Sequence, residues 1–121
     1  MKLCIVIPCY NEEEGLEHFV LETNKVIDTI PNYSFRYILV NDGSRDKTYL
    51  VMKKLAAQFS NIKYISFSRN FGKEAAMYAG IEHAEGELVC LIDADLQQRP
   101  EVVVDMVKRL DEVPELDCVA A

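Results

Sequence analysis

Residues 3–9 read Leu3-Cys4-Ile5-Val6-Ile7-Pro8-Cys9, an apolar stretch that is followed directly by Tyr10 and Asn11. A short, continuous apolar run without polar alternation is typical of a strand that is buried on both faces, as in a parallel sheet. Further strands are predicted at residues 35–40, 62–67 and 88–92, and a fifth could start in the apolar segment 116–121.

Helices are predicted between these strands, because apolar residues recur there every three or four positions. The predicted helices run to about Ile30, from the turn at 44–46 to Phe59, from Lys73 to Ala84, and onward from Pro100. We expect Asn11 to cap the first helix, and Asp46 or Ser44 to cap the second. Strands that alternate with helices predict right-handed crossovers and a three-layer αβα, Rossmann-like fold with a mostly parallel sheet. The length of 121 residues suits one domain.

The balance of charge excludes two classes of partner. The formal net charge is -7, so a broad basic face for nucleic acid is not expected, nor is a polybasic membrane anchor. No segment approaches the roughly 20 consecutive apolar residues of a membrane-spanning helix. These features predict a soluble, cytoplasmic protein without a nucleic-acid partner.

Several common chemistries lack their motifs in this sequence. There is no G-x-S-x-G, no G-x-x-x-x-G-K-[ST], no H-E-x-x-H, and no G-x-G-x-x-G after the first strand. Cys4, Cys9, Cys90 and Cys118 show no C-x-x-C spacing, so we expect Cys4 and Cys90 to be buried thiols in a reducing compartment. His18 and His83 are predicted to lie on helix surfaces.

The unusual polar residues cluster in four loops that follow the predicted strands, at 8–14, 41–46, 68–73 and 93–99. Ligands of open parallel sheets bind beyond the carboxyl ends of the strands. The four loops therefore mark the predicted ligand-binding edge.

The strongest signal is the run Asp93-Ala94-Asp95-Leu96-Gln97, which follows the fourth predicted strand. Carboxylates two residues apart at a strand end point to one side, and placing two anions together costs free energy unless a cation joins them. A hard divalent ion accepts such oxygen ligands, and Gln97 adds an amide oxygen at the same spacing. Aspartate is also a common turn residue, so Asp93 and Asp95 could simply cap the following turn.

The loop after the second strand places Asp42 and Gly43 at its tip. The Asp42 carboxylate can accept hydrogen bonds from the ring N–H of a base or from a ribose hydroxyl, while Gly43 permits close approach of a ligand. An ordinary Asp-Gly turn explains the same pair.

Two further loops carry groups that suit a nucleotide. Tyr10 could cover the face of a base, and Glu12 lies where the first helix is expected to begin, although an acidic helix start explains Glu12 as well. Arg69 and Lys73 are cations that suit a diphosphate, and solvated loop charges are the alternative.

Taken together, four motifs in register resemble the family 2 glycosyltransferases with the GT-A fold. They are Val6-Ile7-Pro8-Cys9-Tyr10-Asn11-Glu12-Glu13, Val40-Asn41-Asp42-Gly43-Ser44-Arg45-Asp46, Phe67-Ser68-Arg69-Asn70-Phe71-Gly72-Lys73 and Ile92-Asp93-Ala94-Asp95-Leu96-Gln97. Within that family the chain is most similar to the branch acting on polyprenyl phosphates, which includes dolichyl-phosphate mannose synthase and bactoprenol glucosyltransferase.

The resemblance implies a metal-dependent enzyme that uses a UDP- or GDP-linked sugar together with Mg²⁺ or Mn²⁺. By this likeness, Pro8, Tyr10 and Glu12 line the nucleotide site, and Asp42 lies beside the nucleobase. Asp93 lies near the ribose and the metal, while Asp95 and Gln97 hold the metal against the diphosphate. Arg69 and Lys73 contact a phosphate. Asp93 and Asp95 are thus the expected catalytic carboxylates.

The resemblance also implies what accompanies these residues. Family members continue well beyond the point matched by Ala121, so residues 1–121 are expected to form the N-terminal, nucleotide-sugar-binding half, without the acceptor half. The whole enzyme would invert the sugar on transfer to a polyprenyl phosphate at the cytoplasmic face of the membrane. A polysaccharide or another glycan as acceptor, or a non-catalytic nucleotide-binding module, is the alternative. An exposed sheet edge would favour a homodimer.

One position departs from the family pattern. Asn41 stands where family members usually carry an aspartate, and it can keep a hydrogen bond but not the charge.

Overall fold

The computed structural model describes residues 2–29, 33–86, 88–92 and 101–112, and within them strands and helices alternate throughout. The eight elements are, in chain order, β1 (Lys2–Cys9), α1 (Leu16–Ile27), β2 (Ser34–Asn41), α2 (Thr48–Gln58), β3 (Ile62–Ser66), α3 (Lys73–His83), β4 (Leu88–Leu91) and α4 (Glu101–Glu112). All eight predicted elements are confirmed. The apolar segment 116–121 and Pro100 lie outside the described residues.

The four strands form one parallel sheet with the order β3-β2-β1-β4. β1 pairs with β2 from Lys2↔Ser34 to Cys9↔Asn41, and with β4 from Leu3↔Leu88 to Val6↔Leu91. The strand order reverses beside β1, because β2 and β3 extend to one side of it and β4 lies on the other. A reversal of this kind is where open α/β sheets bind their ligands.

The central strand β1 is buried on both faces, as its unbroken apolar run predicts. Leu3, Ile5 and Ile7 pack in a cluster with residues of α1, α2 and α4. Cys4 and Val6 point to the opposite face, where their cluster includes Ala76 of α3. Helices therefore cover both faces of the sheet, and the predicted three-layer αβα architecture is confirmed.

Close contact between α3 and the sheet depends on Gly80. A Cβ atom built on Gly80 would lie 2.2 Å from Cγ1 of Val6, well inside van der Waals contact. The missing side chain lets α3 lie directly on β1 and β2.

The expected start of the first helix is wrong. α1 begins at Leu16 after Gly15, without a side-chain cap, and the side chain of Asn11 instead accepts a hydrogen bond from the backbone of Arg45. At the second helix the N-cap position is Lys47, without a side-chain cap, so neither Ser44 nor Asp46 caps α2 as predicted. Asp46 lies one residue earlier, and its Oδ1 accepts the backbone N–H of Thr48, the first residue of α2, at 2.9 Å.

The histidines lie at the surface and the described cysteines lie in the interior. His18 and His83 are exposed on their helices, as predicted. Cys4, Cys9 and Cys90 are buried free thiols, and Cys118 lies outside the described residues. None of the helices in the described ranges has the length and apolar character needed to cross a lipid bilayer.

Candidate functional site

The loops after β1, β2 and β3 leave the sheet side by side. Parallel pairing continues one residue beyond the strands, since the N–H of Asp42 donates to the carbonyl of Cys9 and that of Phe67 donates to Asn41, both at 2.9 Å. On the other side of β1, the N–H of Ile92 donates to the carbonyl of Val6 at 3.1 Å. The predicted loops at 8–14, 41–46 and 68–73 thus lie together. The fourth predicted loop, at 93–99, begins directly after Ile92, the last described residue before it.

The carboxylate of Asp42 is bonded to three groups of the loop after β3. Oδ1 accepts the backbone N–H groups of Phe71 at 2.8 Å and Gly72 at 3.3 Å, and Oδ2 accepts Nδ2 of Asn70 at 3.1 Å. The same amide also donates to the carbonyl of Asp42 at 3.1 Å. A carboxylate offers about four acceptor positions, so the three bonds leave about one on Oδ2. With 3% of its surface exposed, Asp42 can offer that position only to a group that reaches it closely.

Gly43 allows the loop after β3 to lie against the loop after β2. Its φ of 66° falls in the left-handed region that favours glycine. A Cβ there would stand 2.1 Å from the carbonyl carbon of Arg69 and 2.2 Å from the nitrogen of Asn70. The Asp-Gly pair is therefore more than a turn, because it also creates room for a neighbouring backbone.

Asn41, the departure from the family pattern, uses both ends of its amide. Nδ2 donates to Oγ of Ser66 at 3.1 Å, and Oδ1 accepts the N–H of Ser44 at 3.0 Å. The residue is buried without a charge, so no counter-ion is required. Its amide ties β3 to the turn after β2.

The loop after β1 is bonded to the start of α2. The backbone N–H of Asn11 donates to Oγ of Ser44 at 2.9 Å, and the N–H of Glu12 donates to Oγ1 of Thr48 at 2.8 Å. The N–H of Glu13 donates to Oδ2 of Asp46 at 3.2 Å. Sequence reasoning missed Thr48, whose only signal was a polar residue at the predicted helix start.

The three residues predicted to line the nucleotide site, Pro8, Tyr10 and Glu12, lie at or just after the carboxyl end of β1. Tyr10 follows β1 and is 43% exposed, so a large part of its side chain is accessible to solvent. Pro8 is paired with Val40 near the end of β1 and is partly buried, as is Glu12.

The predicted cations Arg69 and Lys73 border the loop after β3. The guanidinium carbon of Arg69 lies 4.8 Å from the ring centroid of Phe71, which is within cation–π range. Phe71 in turn packs edge-on against Phe67, with ring centroids 5.6 Å apart. Sequence reasoning missed Asn70 and Phe71, although both belong to the loop it singled out. Lys73 is the first residue of α3 and is exposed.

The predicted metal ligands Asp93, Asp95 and Gln97 lie outside the described residues. In the ranges that are described, no group of three histidine, cysteine, aspartate or glutamate residues is arranged to hold a metal ion. The chemistry of the donor set, two carboxylates and one amide oxygen, fits a hard divalent cation such as Mg²⁺ or Mn²⁺.

A separate concavity of about 350 Å³ lies at the amino end of the strands, away from these loops. Arg36 and Lys63 of the sheet and His83 and Glu85 at the end of α3 border it, and the guanidinium of Arg36 is paired with Glu85 at 3.2 Å. None of the predicted site residues within the described ranges borders this opening.

Several proteins of known sequence are similar to this chain. The chain is 44% identical over 110 residues to a putative glycosyltransferase, CsbB, of Bacillus subtilis. The aligned region covers 91% of this chain and 33% of that protein. The chain is 37% identical over 109 residues to a prophage bactoprenol glucosyl transferase homolog of Escherichia coli. Here the aligned region covers 90% of this chain and 35% of the relative. The chain thus spans about a third of the length of the curated relatives it matches.

Solved structures share the fold. S. aureus TarS 1–349 in complex with UDP superposes with a TM-score of 0.74 at 26% identity, over 93% of this chain and 32% of that one. The mannosyltransferase PcManGT of Pyrobaculum calidifontis, solved with GDP-Man and Mn²⁺, gives a TM-score of 0.74 at 23% identity, over 89% of this chain and 32% of that one. The GT-A fold expected from the motifs is confirmed. The family model described as "Glycosyl transferase family 2" matches residues 4–120, so the chain belongs to this family.

Proposed function

We propose that the enzyme containing these residues transfers a sugar from a nucleotide-sugar donor to a polyprenyl phosphate, with inversion at the anomeric carbon. The observation that carries the donor half of this proposal is the convergence of three polar loops beside β1, where the strand order reverses. The acceptor class rests on the similarity to proteins named bactoprenol glucosyl transferase.

In this proposal the nucleotide lies across the carboxyl ends of β1 and β2. Tyr10 stacks on the base, Pro8 and Glu12 border the nucleoside, and the remaining acceptor position on Oδ2 of Asp42 receives a ring N–H of the base. Uracil and guanine both carry such an N–H, so a UDP- or a GDP-linked sugar suits this arrangement.

We assign the diphosphate end to the loops after β3 and β4. Arg69 and Lys73 supply positive charge, and Asp93, Asp95 and Gln97 would hold the Mg²⁺ or Mn²⁺ ion. When bound, such an ion would offset the negative charge that builds up on the departing diphosphate.

The chemistry requires little from a protein base. An oxygen of the acceptor phosphate is already anionic and attacks the anomeric carbon on the side opposite the nucleoside diphosphate. The new carbon–oxygen bond forms as the bond to the diphosphate breaks, and the diphosphate departs with the electron pair. Attack from the opposite side inverts the configuration. The protein contributes by orienting the donor and by stabilising the leaving group.

For residues 1–121 alone, the proposal is narrower: they bind the nucleotide in the presence of metal without turning over the donor. Isothermal titration calorimetry with UDP and with GDP, each with and without Mn²⁺, tests it. We expect metal-dependent binding of at least one nucleotide, which Asp95→Asn weakens and Asp105→Asn, an exposed position on α4, leaves unchanged. Absence of metal-dependent binding to both nucleotides would refute the donor site.

Because a polyprenyl phosphate is a membrane lipid, we propose that the complete enzyme acts at the cytoplasmic face of the membrane. Transfer of labelled sugar into an organic-extractable product by the full-length enzyme tests the acceptor class. Label that enters only a water-soluble glycan would refute it.

We also propose a homodimer through β4, which lies at one side of the four-stranded sheet formed by the described residues. Val89 and Leu91 are 45% and 36% exposed, and their pairing with Cys4 and Val6 places them on the α3 face of the sheet. Strand edges with exposed apolar residues favour association. Light scattering at high concentration should show a dimer that Val89→Lys dissociates and Leu50→Lys, an exposed change on α2, does not. A monomer in the unmodified protein would refute this contact.

A further inference from the structure

Three successive backbone amides in the loop after β1 are held by side chains of the segment that leads into α2. The N–H groups of Asn11, Glu12 and Glu13 are accepted by Ser44, Thr48 and Asp46, as described above. The acceptors lie more than thirty residues further along the chain, so these contacts join two separate loops.

The contact is reciprocal at Asn11. While its N–H donates to Ser44, its Oδ1 accepts the backbone N–H of Arg45 at 2.9 Å. Asn11 is the only non-glycine residue with positive φ among the described residues, at 54°. This conformation is costly outside glycine and persists where surrounding contacts enforce it. The hydrogen bonds from the neighbouring loop are such contacts.

The residues on the acceptor side are also bonded to each other. Thr48 is fully buried, and its hydroxyl donates to Oδ1 of Asp46, which also accepts the N–H of Thr48. Partial burial opposes ionisation of Asp46, but the hydrogen bonds from Thr48 and Glu13 outweigh it and hold the pKa of that carboxyl below its ordinary value. One carboxylate thus fixes both the start of α2 and the loop after β1.

We propose that Ser44, Asp46 and Thr48 are positioning residues for nucleotide binding, which act by fixing the backbone that carries Tyr10 and Glu12. This assignment rests on the donor site proposed above. Tyr10 and Glu12 flank the strained Asn11, so release of these amides lets both side chains leave their bound orientation. The hydroxyl and carboxylate groups at 44, 46 and 48 thereby favour the nucleotide without touching it.

A purely structural role, in which these residues only begin α2, makes a different prediction. Loss of a helix cap lowers the midpoint of thermal unfolding but leaves the dissociation constant unchanged in protein that is still folded. A positioning role raises the dissociation constant of the nucleotide under conditions where every variant is folded.

The experiment compares Thr48→Val, Thr48→Ser and the unmodified chain by calorimetry with UDP or GDP and Mn²⁺, after circular dichroism has established that each is folded. Thr48→Val keeps the shape but loses the acceptor for Glu12, and we expect the dissociation constant to rise about tenfold. Thr48→Ser keeps the hydroxyl and should bind within about twofold of the unmodified chain.

The matched control is Glu17→Gln. Glu17 and Lys54 form an exposed ion pair of 2.9 Å that also joins α1 to α2, but through residues of the helices and not of the loops. It should leave the dissociation constant unchanged. If Thr48→Val does not fold, Ser44→Ala removes only the acceptor for Asn11, and binding should again weaken severalfold.

The two proposals fail in different ways. Absence of binding by the unmodified chain overturns the donor site and this assignment with it. Binding by the unmodified chain at a dissociation constant that neither Thr48→Val nor Ser44→Ala alters overturns the positioning role alone.

Discussion

The peptide group that joins Arg69 to Asn70 occupies the space that a side chain on Gly43 would need. The shortest separation, 2.1 Å, is between the carbonyl carbon of Arg69 and a Cβ atom built on Gly43. Because the obstacle is backbone, it cannot rotate away as a side chain would. The loops after β2 and β3 therefore fit together only when residue 43 is glycine.

Gly43→Ala should destabilise the fold and displace the loop at 68–72. We expect a loss of roughly 2–4 kcal/mol in the free energy of unfolding, from steric overlap and from the left-handed backbone together. Urea unfolding followed by circular dichroism measures it. Gly72→Ala is the comparison, because φ there is also positive but a Cβ would meet nothing within 4 Å. Equal losses in the two variants would contradict the steric explanation.

Asp42→Asn should weaken the attachment of the same loop. An asparagine amide can still accept from Phe71 and Gly72, but its NH₂ group would then face Nδ2 of Asn70, donor against donor. The expected loss is about 1–3 kcal/mol in the free energy of unfolding, measured by urea titration.

A double variant in which residues 42 and 70 exchange their side chains is the control for Asp42→Asn. In the double variant Asp42→Asn with Asn70→Asp, the amide at 42 donates to the carboxylate at 70, so part of the stability should return. The bond from Asn70 to the carbonyl of Asp42 is not restored, so recovery should be incomplete. A double variant less stable than the sum of the single changes would argue against a direct bond.

Tyr37→Phe should destabilise the cluster beneath α1. The hydroxyl of the fully buried Tyr37 donates to Oδ1 of Asn24 at 2.7 Å, and its removal leaves that acceptor without this partner. We expect a loss of about 1–2 kcal/mol in the free energy of unfolding. Tyr78→Phe, at a position 70% exposed, should leave stability unchanged, and an equal effect of both would contradict a specific role for the bond.

The thiol of Cys90 should produce a loss of stability at alkaline pH. Burial raises its pKa from 9.0 to about 11, so the folded protein retains the proton where the unfolded chain releases it. Stability from this group is fully present below pH 9 and declines as pH rises toward 11, by up to roughly 3 kcal/mol.

Urea unfolding in reducing buffer between pH 8 and 11 tests this linkage, with the range taken from that pKa shift. The advantage of the unmodified protein over Cys90→Ala should shrink across the interval. Parallel curves for the two proteins would show that the thiol does not contribute.

The order of strands and helices could be predicted because the apolar pattern that marks β1 lies within the strand itself. An unbroken apolar run from Leu3 to Ile7 means burial on both faces, which requires helices on both sides of the sheet. The polar loops could be placed for a similar reason, since the carboxyl ends of parallel strands share one edge. The position of Asp42 and Gly43 at the carboxyl edge of the sheet followed from that placement.

The bonds within the edge could not be predicted, because they depend on loop geometry between residues far apart in sequence. Asn11 was expected to cap a helix, yet its left-handed backbone and its bond to Arg45 direct it to the neighbouring loop. Ser44 was considered for the same local role and instead accepts from Asn11. Helix-capping residues and loop-bridging residues are the same amino acids, so composition alone does not separate them.

The level at which β1, β2 and β3 end limits how this chain can change in length. Deleting one residue within residues 35–40 would shift Asp42 by one strand residue, about 3.3 Å, and turn its side chain to the opposite face of the sheet. A change of length in the turn at residues 59–61 lies before β3; it would cost the hydrogen bonds of Asn61 to Phe35 and Tyr37 but would leave the position of Asp42 unchanged. Insertions and deletions in related chains are thus expected at the amino edge of the sheet, while the carboxyl edge keeps its spacing.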